Sequence, residues 1–241
     1  MQYNLDLHCH TVLSGHAYST LAENANHAKK VGLTHFGMAE HGPGMPGGAH
    51  LFSFLNSRIL PEYISGVRLL KGVEANIMDE SGKLDLQSYV LEKLDFVIVS
   101  LHRCIIKPAS KETNTKTLIN AMKKNKYMHI LGHPGDACYE IDLEAVVKTA
   151  AETKTILEIN NSSLNPGSYR CQGEDIFIQM LKMCNELNVS VIAGSDSHYH
   201  TEVGELSRAK EVIIKSGIKE SLVLNTNVDS LLEFIKNKRG K

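Results

Sequence analysis

Residues 5–11 read LDLHCHT, with two histidines on either side of Cys9 at the end of an alternating apolar and polar run. Side chains two apart on a strand share a face, so His8 and His10 converge. Each neutral imidazole offers a ring nitrogen lone pair, and two held this way can chelate a metal. The pattern recurs along the chain. His41 stands in AEHG, Glu74 in GVEANI, His102 in SLH, His133 in GHP, and Asp196 and His198 in GSDSH, with His16 in the loop TVLSGHAYST. Taken singly, each has an ordinary explanation as a capped, solvent-facing or turn residue. Together they are seven histidines and two carboxylates. Ionisable groups gathered in one cleft repel or stay unpaired unless something neutralises them. Divalent cations do so directly: imidazole suits zinc, manganese or iron, and a carboxylate can bridge two ions.

Something must bring these residues to one place. Short β-rich runs alternate with helical patterns almost throughout. Strands are expected at Asn4 to His8, THFGMAEHG, VRLLKGVEANI, LDFVIVSLH, MHILGHP, TILEINN and VSVIAGSDSH. Helices are expected at Thr20 to Val31, Thr115 to Lys126, Asp142 to Thr153, Glu174 to Leu187, Val203 to Ser216 and Val228 to Lys238, with the short apolar run SLVLN between the last two. Such alternation implies parallel strands joined by right-handed crossovers, and near-continuous apolar strands imply that both faces are covered. Seven or so units point to an α/β barrel, closed or nearly so. Its strand ends open onto one face, where sites of such folds are built. Every candidate ligand falls on that face. No linker or low-complexity tract divides the chain, so residues 1–241 read as one domain. Of the other histidines, His27, His35 and His129 read as structural or exposed, whereas His50 and His200 lie on the ligand-bearing rim without joining the ring.

Bulk properties narrow the class. The 241 residues are 42% hydrophobic and 22% charged, an ordinary globular composition. A net charge of -1 provides no basic field for nucleic acid or an anionic membrane. The one basic cluster, Lys236, Lys238, Arg239 and Lys241, reads as a solvated helix end. Five scattered cysteines without a CxxC argue against a disulfide framework and for a reduced, cytoplasmic setting. No signal peptide and no apolar run of membrane-spanning length are evident.

The motifs DLHCHT, AEHG, GVEANI, SLH, GHP and GSDSH, in that order, resemble those of the PHP (polymerase and histidinol phosphatase) superfamily. HAYSTL, ETNT, YEID and LEINNSS resemble its stand-alone YcdX-like phosphatases in particular, and the likeness runs nearly the whole chain. The resemblance implies a distorted (β/α)7 barrel carrying a trinuclear metal site. Position by position, it implies one ion on His8, His10, Glu74 and Asp196, a second sharing Glu74 with His102 and His133, and a third on His16, His41 and His198. The chain departs from the pattern at Glu40, where many relatives carry an aspartate before the histidine, and it places Arg103 beside an implied ligand.

Cations held a few ångströms apart lower the pKa of a shared water, which becomes a nucleophile for in-line attack on phosphorus. Open coordination positions offset the charge building on the phosphoryl oxygens. The expected enzyme is therefore a metal-dependent phosphoesterase acting on a small phosphomonoester through metal-activated hydroxide, with Glu74, Asp196 and His198 at the chemistry. Three divalent ions are expected, zinc first, with manganese or iron as alternatives. Arg103 and Arg170 read equally as phosphate clamps or as surface arginines in ion pairs. Histidinol phosphate, a nucleotide monophosphate and a sugar phosphate all remain open as substrates. A phosphodiesterase or nuclease acting on short nucleic acid and a non-enzymatic metal-binding module are the alternative readings. The absence of a basic, aromatic track argues against long nucleic acid.

Overall fold

The structure, a computed structural model, describes residues 1–171 and 173–238; Arg239 and Lys241 of the basic tail lie outside them. Seven strands run parallel in the order β1 (Leu5–Asp6), β2 (His35–His41), β4 (Val67–Asn76), β5 (Ile98–Ser100), β6 (Ile130–Leu131), β7 (Ile156–Asn160) and β8 (Val191–Gly194). A two-residue β3 (Tyr63–Ile64) adds antiparallel to β4. Helices α1 (Leu21–Lys30), α2 (Leu51–Asn56), α3 (Ser88–Leu91), α4 (Lys111–Lys124), α5 (Leu143–Thr153), α6 (Glu174–Leu187) and α7 (Ser207–Ser216) connect or follow the strands, and α8 (Val228–Lys238) ends the described chain. This is the distorted (β/α)7 barrel expected from the sequence.

The period-two alternation of the strands sorts residues between two environments. Val73, Val99, Leu131, Leu157, Ile159 and Val191 pack outward against Val146, Val147, Phe177, Met180, Val212 and Ile213 of the helices. Inward-facing Ile98, Ile130, Ile156 and Ile192 form an apolar floor that Leu231 and Ile235 of α8 seal from below. Further toward the strand ends the inward face becomes polar, and buried Glu74, Asn76, Glu158 and Asn160 occupy it. The site thus sits in the barrel directly above an apolar plug.

Closure is incomplete, and side chains complete it. Between β8 and β1 the described residues form only a bridge at Cys9 and Ser197, with His10 N–H on Ser197 O at 2.9 Å and Ser197 N–H on His8 O at 3.1 Å. Below it, the buried Asp6 carboxylate accepts from the amides of His8 and Ser195, both at 3.2 Å, and from Gly204 at 2.9 Å. The Asn225 side chain ties Ala193 to Leu5 O in the same way.

Capping explains the helix limits. Thr20 and Glu23 form a reciprocal capping box on α1; Gly32, at φ 84, follows its last turn. Asp142 caps α5 as expected. Helix α4 begins at Lys111 rather than Thr115, because Ser110 accepts from Thr113 N and starts the helix one turn earlier. Helix α7 begins at Ser207 rather than Val203, because Gly204 is held at φ 77 with its amide on Asp6. SLVLN forms two 3-10 turns, and α2, β3 and α3 were not anticipated. All five cysteines are free. Among the described residues no helix is long and apolar enough to cross a membrane.

Candidate metal centre

All nine ligand candidates meet at the strand ends. Glu74 is at the middle, placed on β4 directly opposite His41 of β2 by the ladder register. Its Oε2 lies 2.8 Å from His41 Nδ1, 3.4 Å from His8 Nε2 and 3.5 Å from His10 Nε2. Its Oε1 lies 3.0 Å from His133 Nε2 and 3.2 Å from His102 Nε2. Asp196 Oδ1 closes the other side, 3.3 Å from His10 Nε2 and 3.5 Å from His8 Nε2. His16 and His198 extend the cluster toward solvent: their rings are 4.7 Å apart, and His16 stacks on His41 at 4.9 Å. Three sets have donor atoms within 4.8 Å of one another: His8, His10 and Glu74; His41, Glu74 and His102; and His10, His41 and His198. His41 therefore stands between two groups.

Several of these atoms are buried without a hydrogen-bond partner: His8 Nε2, both nitrogens of His10 and of His41, His102 Nε2, Glu74 Oε2 and Asp196 Oδ1. Leaving one buried polar atom unsatisfied costs about 1–3 kcal/mol. Unsatisfied imidazole nitrogens and carboxylate oxygens facing one another are what a divalent cation would satisfy, so the residues present fit such ions.

Further groups, absent from the candidate list, aim the ligands. Glu158 Oε1 accepts from His8 Nδ1 at 2.6 Å, and its Oε2 accepts from His133 N at 2.8 Å and Asn160 Nδ2 at 3.2 Å. With the proton on Nδ1, the lone pair of His8 is on Nε2, toward Glu74 and Asp196. Asn76 Oδ1 does the same for His102 Nδ1 at 2.7 Å, and the Asp196 carbonyl for His198 Nδ1 at 2.9 Å. Glu40 holds the loop that carries His16: it accepts from Thr11 N and from the hydroxyls of Thr11 and Ser14, and Ser14 Oγ accepts from His41 N. Gly194 leaves space for the Glu158 carboxylate and for His8 Cβ, which a side chain there would strike. The sequence did carry one signal for Glu158, a carboxylate amid the apolar residues of TILEINN. His133 (φ 32) and Asp196 (φ 59) have left-handed backbones, a strain that clusters at functional sites.

The electrostatics follow from this crowding. Burial disfavours the charged forms of Glu74 and Asp196, yet His102, His8 and His41 around the first, and His8 and Arg170 around the second, hold both well below the usual carboxylate range. Burial opposes charge on His8 too, but Glu158, Glu74 and Asp196 outweigh it and raise its pKa. His10 is driven well down, by burial first and then by His41. His16 falls to about 4, through burial and then the neighbouring His41 and His198.

The two arginines separate. Arg170 Nη1 donates to Asp196 Oδ2 at 2.6 Å, with Nε 3.7 Å from Asp136 Oδ2; it is a largely buried part of the centre. Arg103 is exposed at the rim, with Cζ 5.9 Å from the Tyr169 ring centroid. Neither His50 nor His200 joins the ring: His50 caps α2 and His200 bonds Ser19. His129 is buried, with Nδ1 accepting from Val97 N.

The model of the PHP domain family matches residues 6–165. A Thermoanaerobacter sp. (strain X514) protein named a probable phosphatase is 49% identical, with the alignment covering 100% of this chain and 98% of that protein. A probable phosphatase of Clostridium botulinum (strain Langeland) is 42% identical over 99% of this chain and 96% of its own length. Among solved structures, the histidinol phosphate phosphatase of Lactococcus lactis, complexed with zinc, L-histidinol and phosphate, superposes with a TM-score of 0.65 at 17% identity, covering 90% of this chain and 95% of that one. A chain of an archaeal ribonuclease P with mature tRNA gives a TM-score of 0.55 at 12% identity, covering 98% and 93%. Both structural likenesses are of fold.

Proposed function

This chain belongs to the PHP domain family, and from that premise we propose that it is a divalent-metal-dependent phosphatase of a small phosphomonoester. The observation that carries this is the set of buried nitrogens and oxygens without hydrogen-bond partners on His8, His10, His41, Glu74, His102 and Asp196, residues that crowd around the Glu74 and Asp196 carboxylates. The curated relatives named probable phosphatases support the reaction class. Zinc, L-histidinol and phosphate in the Lactococcus lactis enzyme support zinc and a small phosphate ester. We assign three ions: one to His8, His10, Glu74 and Asp196, one to Glu74, His102 and His133, and one to His16, His41 and His198. Cations held there supply Lewis acidity and a nucleophile at neutral pH.

The protein's own residues do the remaining work. Glu74 presents one oxygen to each half of the ring, so its two carboxylate atoms couple the groups. Asp196 is held ionised beside His8 and Arg170, and His198, with Nδ1 engaged, keeps Nε2 for the centre. Arg170 holds a permanent positive charge against the floor, where its remaining N–H groups can bind a phosphoryl oxygen. Glu158 and Asn76 keep two imidazoles in the ligating tautomer.

The test is hydrolysis of p-nitrophenyl phosphate against bis-p-nitrophenyl phosphate, with and without a chelator. Chelator-sensitive turnover of the monoester, abolished in His102→Ala with the circular dichroism spectrum retained, is expected. Turnover of the diester alone, or undiminished turnover in His102→Ala, contradicts the reading.

A further inference from the structure

The space above the ring is a cavity of about 510 Å³ whose floor includes His16, His41 and His102. Its walls bring in Met45, Cys104, Arg103, Tyr169 and Arg170, and among the described residues no carboxylate lines it. Both arginines pack on one tyrosine, with Arg103 Cζ 5.9 Å and Arg170 Cζ 5.6 Å from the Tyr169 ring centroid. Their charges are not equivalent. The Arg170 charge is matched by Asp196 and Asp136. Among the described residues Arg103 makes no ion pair, and it is exposed. Tyr169 beside it is 62% exposed as a residue, so a ligand can reach both. An unmatched guanidinium at a cavity mouth favours an anion and repels a cation.

Resting on the phosphatase reading, we propose that the mouth is a second anion subsite: Arg103, packed on Tyr169, binds a carboxylate or phosphate on the leaving-group side of the substrate. The substrate is then a small phosphomonoester with a second negative group, and one whose leaving group carries an ammonium is disfavoured. Arg103 immediately follows His102, one Cα step or about 3.8 Å along the chain, so its side chain can reach past a phosphoryl group seated on the floor. The two anions of such a substrate are then held by different groups, the transferred phosphoryl by the floor and Arg170, and the distal anion by Arg103. A guanidinium pairs with either type of anion in bidentate fashion, which a single ammonium cannot do.

Three non-hydrolysable phosphonates separate this subsite from the floor beneath it, and their affinities for the metal-loaded protein are read by titration calorimetry. They are benzylphosphonate, its 4-carboxy derivative and its 4-aminomethyl derivative. The carboxy compound is expected to bind about tenfold more tightly than the parent, a typical size for a charge-assisted contact, and the aminomethyl compound more weakly than the parent. Arg103→Gln should bring the carboxy-to-parent ratio close to one, whereas Arg103→Lys should keep part of the preference. Equal binding of all three to the wild-type protein, or a ratio unchanged in Arg103→Gln, overturns the subsite while leaving the floor intact. If none of the three binds, the phosphatase reading fails and the subsite with it.

Discussion

Replacing Glu158 with glutamine probes how the ring is held without creating a cavity. In the native chain one carboxylate serves two sides: His8 Nδ1 at 2.6 Å on Oε1, and His133 N at 2.8 Å together with Asn160 Nδ2 at 3.2 Å on Oε2. A glutamine amide has a single acceptor oxygen, so it can serve one of them and must turn its own N–H groups toward the other. If the oxygen stays on His133 N, the amide faces His8 Nδ1, which then must accept. The ring proton moves to Nε2, the atom that faces Glu74 Oε2 at 3.4 Å and Asp196 Oδ1 at 3.5 Å. If the oxygen turns to His8, the buried His133 amide loses its acceptor. Either outcome removes a charge-assisted hydrogen bond worth about 1.5–3 kcal/mol, and loss of such an outer partner typically weakens metal binding by about 10–100-fold. Zinc affinity measured by competition with a chromophoric chelator should fall within that range, with turnover at saturating metal falling as well. Unchanged affinity in a folded Glu158→Gln protein would refute the idea that this carboxylate sets the His8 tautomer.

Gly194→Ala places a methyl against the Glu158 carboxylate and His8 Cβ; overpacking of this kind costs about 1–3 kcal/mol, read as a lower denaturant midpoint together with weaker zinc binding. Arg170→Ala should raise the KM for a phosphomonoester by about tenfold, the loss of one charge-assisted contact, and an unchanged KM would remove the guanidinium from the substrate. For the metal-free protein, His16 has its pKa lowered to about 4, against about 6.5 in an unfolded chain. The unfolded state therefore takes up the proton first, and stability is lost as pH falls from about 6.5 toward 4. After allowance for solvent screening at this exposed ring, the loss is about 1 kcal/mol. Thermal melts across that window should show a shallower decline in His16→Gln, and identical slopes would contradict the assignment.

What the sequence disclosed and what it concealed have a common physical basis. The ring of nine was legible because ligand-type residues fall at strand ends and parallel strands bring those ends to one rim. Glu74 and His41 are an example, since equivalent strand positions became neighbours in the ladder. Glu158 was not legible as a partner of His8, 150 residues away, because the contact depends on barrel closure and not on local pattern. Asp6 and Asn225 escaped for the same reason: each replaces a ladder across a seam that no local signal marks. The departure at Glu40 was visible, but its work in holding Thr11 and Ser14 was not. Among the elements, α5, α6 and α8 were read to within a residue because their caps or apolar periodicity are strong. Helix α2 was hidden behind a glycine- and proline-rich loop and a histidine cap, and β1 and β6 keep only two ladder residues each, the segments beyond them leaving the sheet with the candidate ligands His8, His10 and His133.

Native mass spectrometry of the purified chain, titrated with zinc, tests directly whether these donors bind metal. Three zinc ions per chain are expected, with fewer retained in Glu74→Gln, which loses the carboxylate shared by both halves of the ring. A folded protein that stays metal-free under excess zinc, or a Glu74→Gln variant that keeps the full complement, would contradict the assignment of these nine residues as a metal centre.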